Sequence, residues 1–119
     1  MQIETHQING LRVAEIISDE IILQSVDDGL DLLGNLHYQG FEKIIIYEKN
    51  IAPEFFDLTT RLAGDILQKF VQYQMPLVII GDFAKFGSKS LHDFIFESNK
   101  GKQINFVSSL SESVKSAQQ

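Results

Sequence analysis

The sequence predicts an α/β fold with a mixed, mostly parallel sheet, and three observations carry that prediction. Residues 41–83 read as an apolar strand, a loop that opens a long amphipathic helix, and a second apolar strand. That order is a βαβ unit. Ahead of it, Asn9-Gly10 separates two strand-like runs, the signature of a hairpin. Behind it, a further helix pattern and a further short strand continue the alternation. The predicted order is β-β-α-β-α-β-α-β-α in one domain over residues 1–119, with right-handed crossovers.

The hairpin runs from Gln2 to Ile8 and from Leu11 to Ile17. Asn-Gly takes positive φ at both central positions, as a type I′ turn demands, and that turn's twist matches the paired strands. Leu11 and Val13 alternate with Ala14 and Ile16, so the second strand is apolar on both faces and belongs inside the sheet. Residues 3–7 lie nearer an edge. Ser25 is the expected N-cap of the first helix, with Asp28 placed to complete a capping box. Val26, Leu30, Leu33 and Leu36 or His37 follow at helical spacing, and Gly40 is the stop signal. Asp27 and Asp28 suit the positive end of that helix's dipole, which accounts for the acidic cluster without a ligand.

Residues 43–48, KIIIYE, have the composition of an interior parallel strand. Two helix starts are open after it: Pro53 in a first turn, or Asp57 capping a helix that begins at Leu58 and Thr59. Phe55, Thr59, Leu62, Ala63, Ile66, Leu67 and Phe70 form the predicted inner stripe, and Arg61 falls on the outer face. Gly64 is expected to permit close packing on the sheet, since mid-helix glycine costs about 1 kcal/mol relative to alanine. Leu77 to Ile80 is the next buried strand, and residues 81–87 form a loop. Ser88 or Ser90 caps a helix to about Ser98. A strand over Gln103–Val107 follows, then a last helix over Glu112–Ala117, capped by Ser109 or Ser111.

The composition narrows the function classes. Ten basic against sixteen acidic residues give a net charge of −6, with no basic run, which argues against nucleic acid as partner. There is no cysteine, so thiol catalysis, disulfides and thiolate metal sites are excluded. The start, MQIETHQ, is not a signal peptide, and no segment approaches the roughly 20 apolar residues of a membrane span. A soluble cytoplasmic protein is the expectation.

AEIISDEIILQSVDDGLDLL, KIIIYEKNIAPEFFDL, AGDILQKF, GDFAKFGSKSLHDFIFESNKG and INFVSSLSESV resemble the bacterial domain-of-unknown-function family numbered 4180, over nearly the whole chain. That resemblance brings no established activity. A looser one is to STAS domains, the anti-sigma-factor antagonists and the cytoplasmic domains of sulfate-transporter-like proteins. It is carried by the element order, KIIIYE, the helix from Asp57, LVIIG and INFVSSLSESVKSA. In STAS domains the helix after the central strand opens with an Asp-Ser-Ser-Gly type motif, and phosphorylation of its serine breaks partner binding. Here the matching stretch is Asp57-Leu58-Thr59-Thr60-Arg61, which lacks the serine pair and the glycine. The resemblance implies a STAS-like fold, with Asp57, Thr59 and Thr60 as regulatory or phosphorylation candidates.

The remaining candidates follow from position. Open α/β sheets bind ligands outside the carboxyl ends of their strands, where Glu48, Lys49, Asn50, Asp82 and Ser108 fall. Glu48 and Asp82, with Ser88, are the ligand candidates there, although loops and caps use the same residue types for local hydrogen bonds. Residues 81–90 supply glycine, lysine and serine after a strand, but Ser88 separates Gly87 from Lys89, which breaks the P-loop spacing. His6, His37 and His92 lie in different elements without metal-ligand spacing, and no Gly-x-Ser-x-Gly elbow is present. No metal, cofactor or catalytic residue is assigned. Phe56, Phe86 and Phe96 fall on the less buried sides by periodicity, so Phe56, Phe86 and Arg61 are the partner-surface candidates. The leading expectation is a non-enzymatic interaction or regulatory module with an unidentified protein partner. The alternative is a small-molecule or metal-binding protein, or an enzyme, using the carboxylate rim. Homodimerisation through the N-terminal edge strand is a further expectation.

Overall fold

The computed structural model describes residues 1–112. Strands β1 (Gln2–Ile8) and β2 (Leu11–Ile17) form the predicted hairpin, paired without a bulge from Gln2↔Ile17 to Ile8↔Leu11. Asn9 (φ 53°) and Gly10 (φ 83°) both take the positive φ of a type I′ turn. Helix α1 (Val26–Tyr38) starts on Ser25, whose hydroxyl accepts from Asp28 N–H, and Gly40 at φ 88° lets the chain leave it. The Asp28 carboxylate accepts instead from Gln24 N–H, one residue before the cap.

Strand β3 (Lys43–Tyr47) is followed by helix α2 (Leu62–Gln72), strand β4 (Leu77–Ile80), helix α3 (Lys89–Asn99) and strand β5 (Ile104–Val107). Ser88 is the α3 cap. The sheet order is β1-β2-β3-β4-β5; β1 is antiparallel to β2 and all later pairs are parallel. Residues 110–112 begin a helix, and the rest of the predicted last helix lies outside the described residues. Among the described residues no helix is long and apolar enough to cross a membrane.

Each crossover moves one strand along the sheet in the same direction, so α1, α2 and α3 all stack on one face. The core there combines Ala14, Ile16, Ile44, Ile46, Leu77, Ile79 and Phe106 from the sheet with Leu33, Leu36, Ile66, Phe70 and Leu91 from the helices. The opposite face carries Ile8, Val13, Ile45, Val78 and Ile80, packed with Leu11, Tyr47, Val107 and Leu110. Gly64 does not have the packing role expected of it: it is exposed, and a Cβ there would meet nothing within 4 Å. The close approach falls at Gly29 of α1, where a Cβ would lie 3.3 Å from the Ile66 side chain of α2.

Candidate functional site

Between β3 and α2 the chain makes neither of the two predicted helix starts. It forms three short 3-10 turns, Glu48–Asn50, Pro53–Phe56 and Leu58–Thr60, and α2 begins only at Leu62. Side chains that compete with the backbone explain the break. Asp57 accepts from Thr59 N–H at 3.0 Å and from the Thr59 hydroxyl at 2.7 Å, closing a tight local turn. The Thr60 hydroxyl donates toward the carbonyls of Glu54 (2.7 Å) and Asp57 (2.8 Å) and accepts from Leu62 N–H at 3.2 Å. Arg61 then takes φ 66°, the left-handed region, which no continuous helix passes through. Thr59 is therefore exposed rather than part of the inner stripe, and Arg61 is the residue before α2 rather than a member of its outer face. The Thr59 hydroxyl, and then its N–H, hold the Asp57 carboxyl below the usual carboxylate range.

The aromatic residues order this strip from below. Phe56, expected on the surface, is only 5% exposed. The strip's turn carries it under the 83–86 segment, where it stacks on Phe86 with ring centroids 5.1 Å apart and meets Phe55 at 5.0 Å. Phe86 is half-buried, with Lys85 Nζ 5.4 Å from its ring centroid, and its carbonyl accepts from His92 Nε2 at 2.6 Å. Above these rings lies a cleft of about 430 Å³ lined by Phe56, Asp57, Leu58, Thr59, Ser88 and Ser90. The fold thus brings Asp57, Thr59 and Ser88, chosen on separate grounds, to one surface depression. Ser88 spends its hydroxyl oxygen on Leu91 N–H at the start of α3.

A family model described as a domain of unknown function, DUF4180, matches residues 8–116, nearly the whole length of the chain. The chain belongs to the DUF4180 family. No curated protein and no solved structure matches it. The matched span takes in every candidate residue of the DUF4180 strip and of the carboxylate rim.

At that rim, Glu48 and Asp82 are neighbours, but their carboxylates are arranged differently. The Glu48 carboxylate is ion-paired with Lys85 and accepts from Asp82 N–H at 3.2 Å. It packs so closely on Gly81 that a Cβ at that position would come within 2.7 Å of it. The Asp82 side chain faces solvent. Among the described residues there is no group of three or more His, Cys, Asp or Glu side chains arranged to hold a metal ion. Asn50, placed on the rim by sequence, is fully buried; its amide donates to the carbonyls of Ser18 (2.8 Å) and Glu20 (2.9 Å) and ties the 18–23 segment to the end of β3.

Two features had no clear mark in the sequence. Glu15, on the sheet face opposite the helices, is 5% exposed and accepts from His6 Nε2 at 2.9 Å and from the Tyr47 hydroxyl. The alternation of β2 places residue 15 on that face, but only the structure shows that both donors converge there. A second cleft, of about 310 Å³, lies between α1 and α2 and is lined by Leu30, Leu33, Gly34, His37 and Tyr73, none of them a sequence candidate.

Proposed function

We propose that this DUF4180 domain is a non-enzymatic interaction or regulatory module, STAS-like in its element order, that meets a protein partner through the strip Glu54–Arg61 and the adjoining start of α3. One observation carries the reading. Glu54, Asp57, Thr59, Thr60 and Arg61 are exposed, yet the strip is held by its own hydrogen bonds and seated on the Phe56–Phe86 stack. A surface ordered in advance loses little entropy when a partner docks. Its hydroxyls serve as local locks, which suits a recognition surface better than a nucleophile. A phosphate on Thr60 would displace that side chain from the Glu54 and Asp57 carbonyls and from Leu62 N–H, so the strip would rearrange. The carboxylate-rim alternative draws less support, because the Lys85 ammonium already occupies the Glu48 carboxylate.

The test is comparative affinity purification from the native host with the wild-type chain, Arg61→Glu, Thr60→Glu and Tyr38→Ala as a distant surface control. The proposal expects a stoichiometric partner retained by the wild type and by Tyr38→Ala and lost from both strip variants, with all four chains folded by circular dichroism. Retention of the same proteins by every chain would overturn it.

A further inference from the structure

The two edges of the sheet are treated differently by this chain. At β5 the edge is short and already occupied: Phe106 N–H donates to the Asn99 side-chain oxygen at 2.7 Å, and the Asn99 amide donates to the Phe106 carbonyl at 3.0 Å. Asn105 likewise folds back on the Gly101 carbonyl. At β1 the edge is seven residues long, in unbroken register, with no proline, lysine or bulge, the usual devices that blunt an edge. The two-residue turn sets which groups point outward. The residues flanking it, Ile8 and Leu11, form a hydrogen-bonded pair, so Ile8, His6 and Glu4 direct their N–H and C=O to β2. Ile3, Thr5 and Gln7 direct theirs away from it. Among the described residues β1 pairs only with β2, and no hydrogen bond reaches those outward groups.

We propose that two copies of this chain associate through β1, antiparallel about a two-fold axis at Thr5, to make one continuous sheet. In this register Thr5 pairs with Thr5 of the second copy and Ile3 with Gln7, each through outward backbone groups. The choice of register and occupant rests on charge. Within the chain, Glu4 is the cross-strand neighbour of Glu15, a like-charge pair, and it has no ion-pair partner among the described residues. His6 bonds Glu15 through Nε2, and with the ring protonated as the imidazolium of that ion pair Nδ1 carries a second N–H for another acceptor. With Thr5 on the axis, each Glu4 stands opposite the other copy's His6, twice by symmetry. Sliding the strands by one step either way sets Glu4 against Glu4 or His6 against His6 instead. The surface is self-complementary in one register.

Sedimentation velocity of the full chain over a concentration series, with two variants, tests this. The wild type is expected to be a reversible dimer, since a single strand edge buries less than a standard protein interface. Thr5→Pro removes an outward N–H without touching the β1–β2 ladder and is expected to sediment as a monomer. Glu4→Arg sets a cation against the imidazolium form of the second copy's His6 while facing Glu15 in its own chain. Its association is expected to weaken roughly tenfold or more, with a melting temperature no lower than the wild type's. A wild type that is monomeric at every concentration overturns the proposal, as does a dimer indifferent to both variants. Loss of the dimer in Thr5→Pro but not in Glu4→Arg overturns the register. Should Thr5→Pro fail to fold, the Glu4→Arg result decides alone.

Discussion

Glu15 shows how a single buried carboxylate orders its neighbourhood. It sits on the sheet face that no described helix crosses fully, and it is kept there by two donors, His6 and Tyr47. Burial is the first reason the Tyr47 phenol is pushed up from its ordinary value of 10.0 to about 12, followed by its hydrogen bond to Glu15 and the charge of that group. The neutral phenol is thus favoured in the folded state. Its contribution to stability is fully present below the unfolded value near 10 and is lost as pH rises from there through about 12. An alkaline absorbance titration should therefore show one of the three tyrosines ionising last, a step that disappears in Tyr47→Phe. In Glu15→Gln that step should move down toward 10, because the charge is gone while part of the burial stays. Three tyrosines titrating together would refute the arrangement of Glu15 and Tyr47.

The element whose form decides the site is the 48–61 connection. Its neighbours were legible from sequence: KIIIY and LVII are apolar on both faces, and Asn9-Gly10, Ser25 and Gly40 each act through a local rule that needs no tertiary partner, while the choice between Ser88 and Ser90 as the α3 cap falls to Ser88 in the structure. The connection obeys no single period. Asp57 was correctly read as a cap, but of one 3-10 turn, because the competition between its side chain and a helix is settled by Thr59 and Thr60 together. Phe56 was misplaced for the same reason. A helical count from Pro53 sends it outward, whereas two separate turns send it beneath Phe86. Arg61 carries the cost of the break, since the left-handed conformation disfavours a residue with a Cβ by about 1–2 kcal/mol. Arg61→Gly should accordingly raise stability by about 1 kcal/mol in urea denaturation. Thr60→Ala should lower it by about 1 kcal/mol through loss of the cap on Leu62 N–H. If Arg61→Gly instead destabilised, α2 would have to begin earlier and the strip would be helical.

At the scale of the molecule, the sequential strand order leaves a question about the second face of the sheet. Three crossovers of one hand place α1, α2 and α3 together, which by itself would leave the other face to solvent. Parallel strands do not normally tolerate that, and the apolar residues on both faces of β3 and β4 anticipate it. Val13, Ile45 and Val78 are indeed 0% exposed, as fully buried as Ile44 and Ile46 on the helical side. The second face is accordingly a core in its own right, built on Ile8, Val13, Ile45, Val78 and Ile80 with Leu110 packed against it. Neighbouring residues of one strand provide the comparison. Ile45 and Ile46 point to opposite faces of β3, and truncating a buried isoleucine to alanine costs about 2–5 kcal/mol through lost transfer energy and the cavity left behind. Ile45→Ala and Ile46→Ala should therefore lower the unfolding free energy by similar amounts, each about 3 kcal/mol. A one-sided protein would give a different pattern, with Ile46→Ala severe and Ile45→Ala close to neutral. That result would show the second face to be open, and Glu15, His6 and Tyr47 would then belong to an accessible surface rather than to the border of a second core.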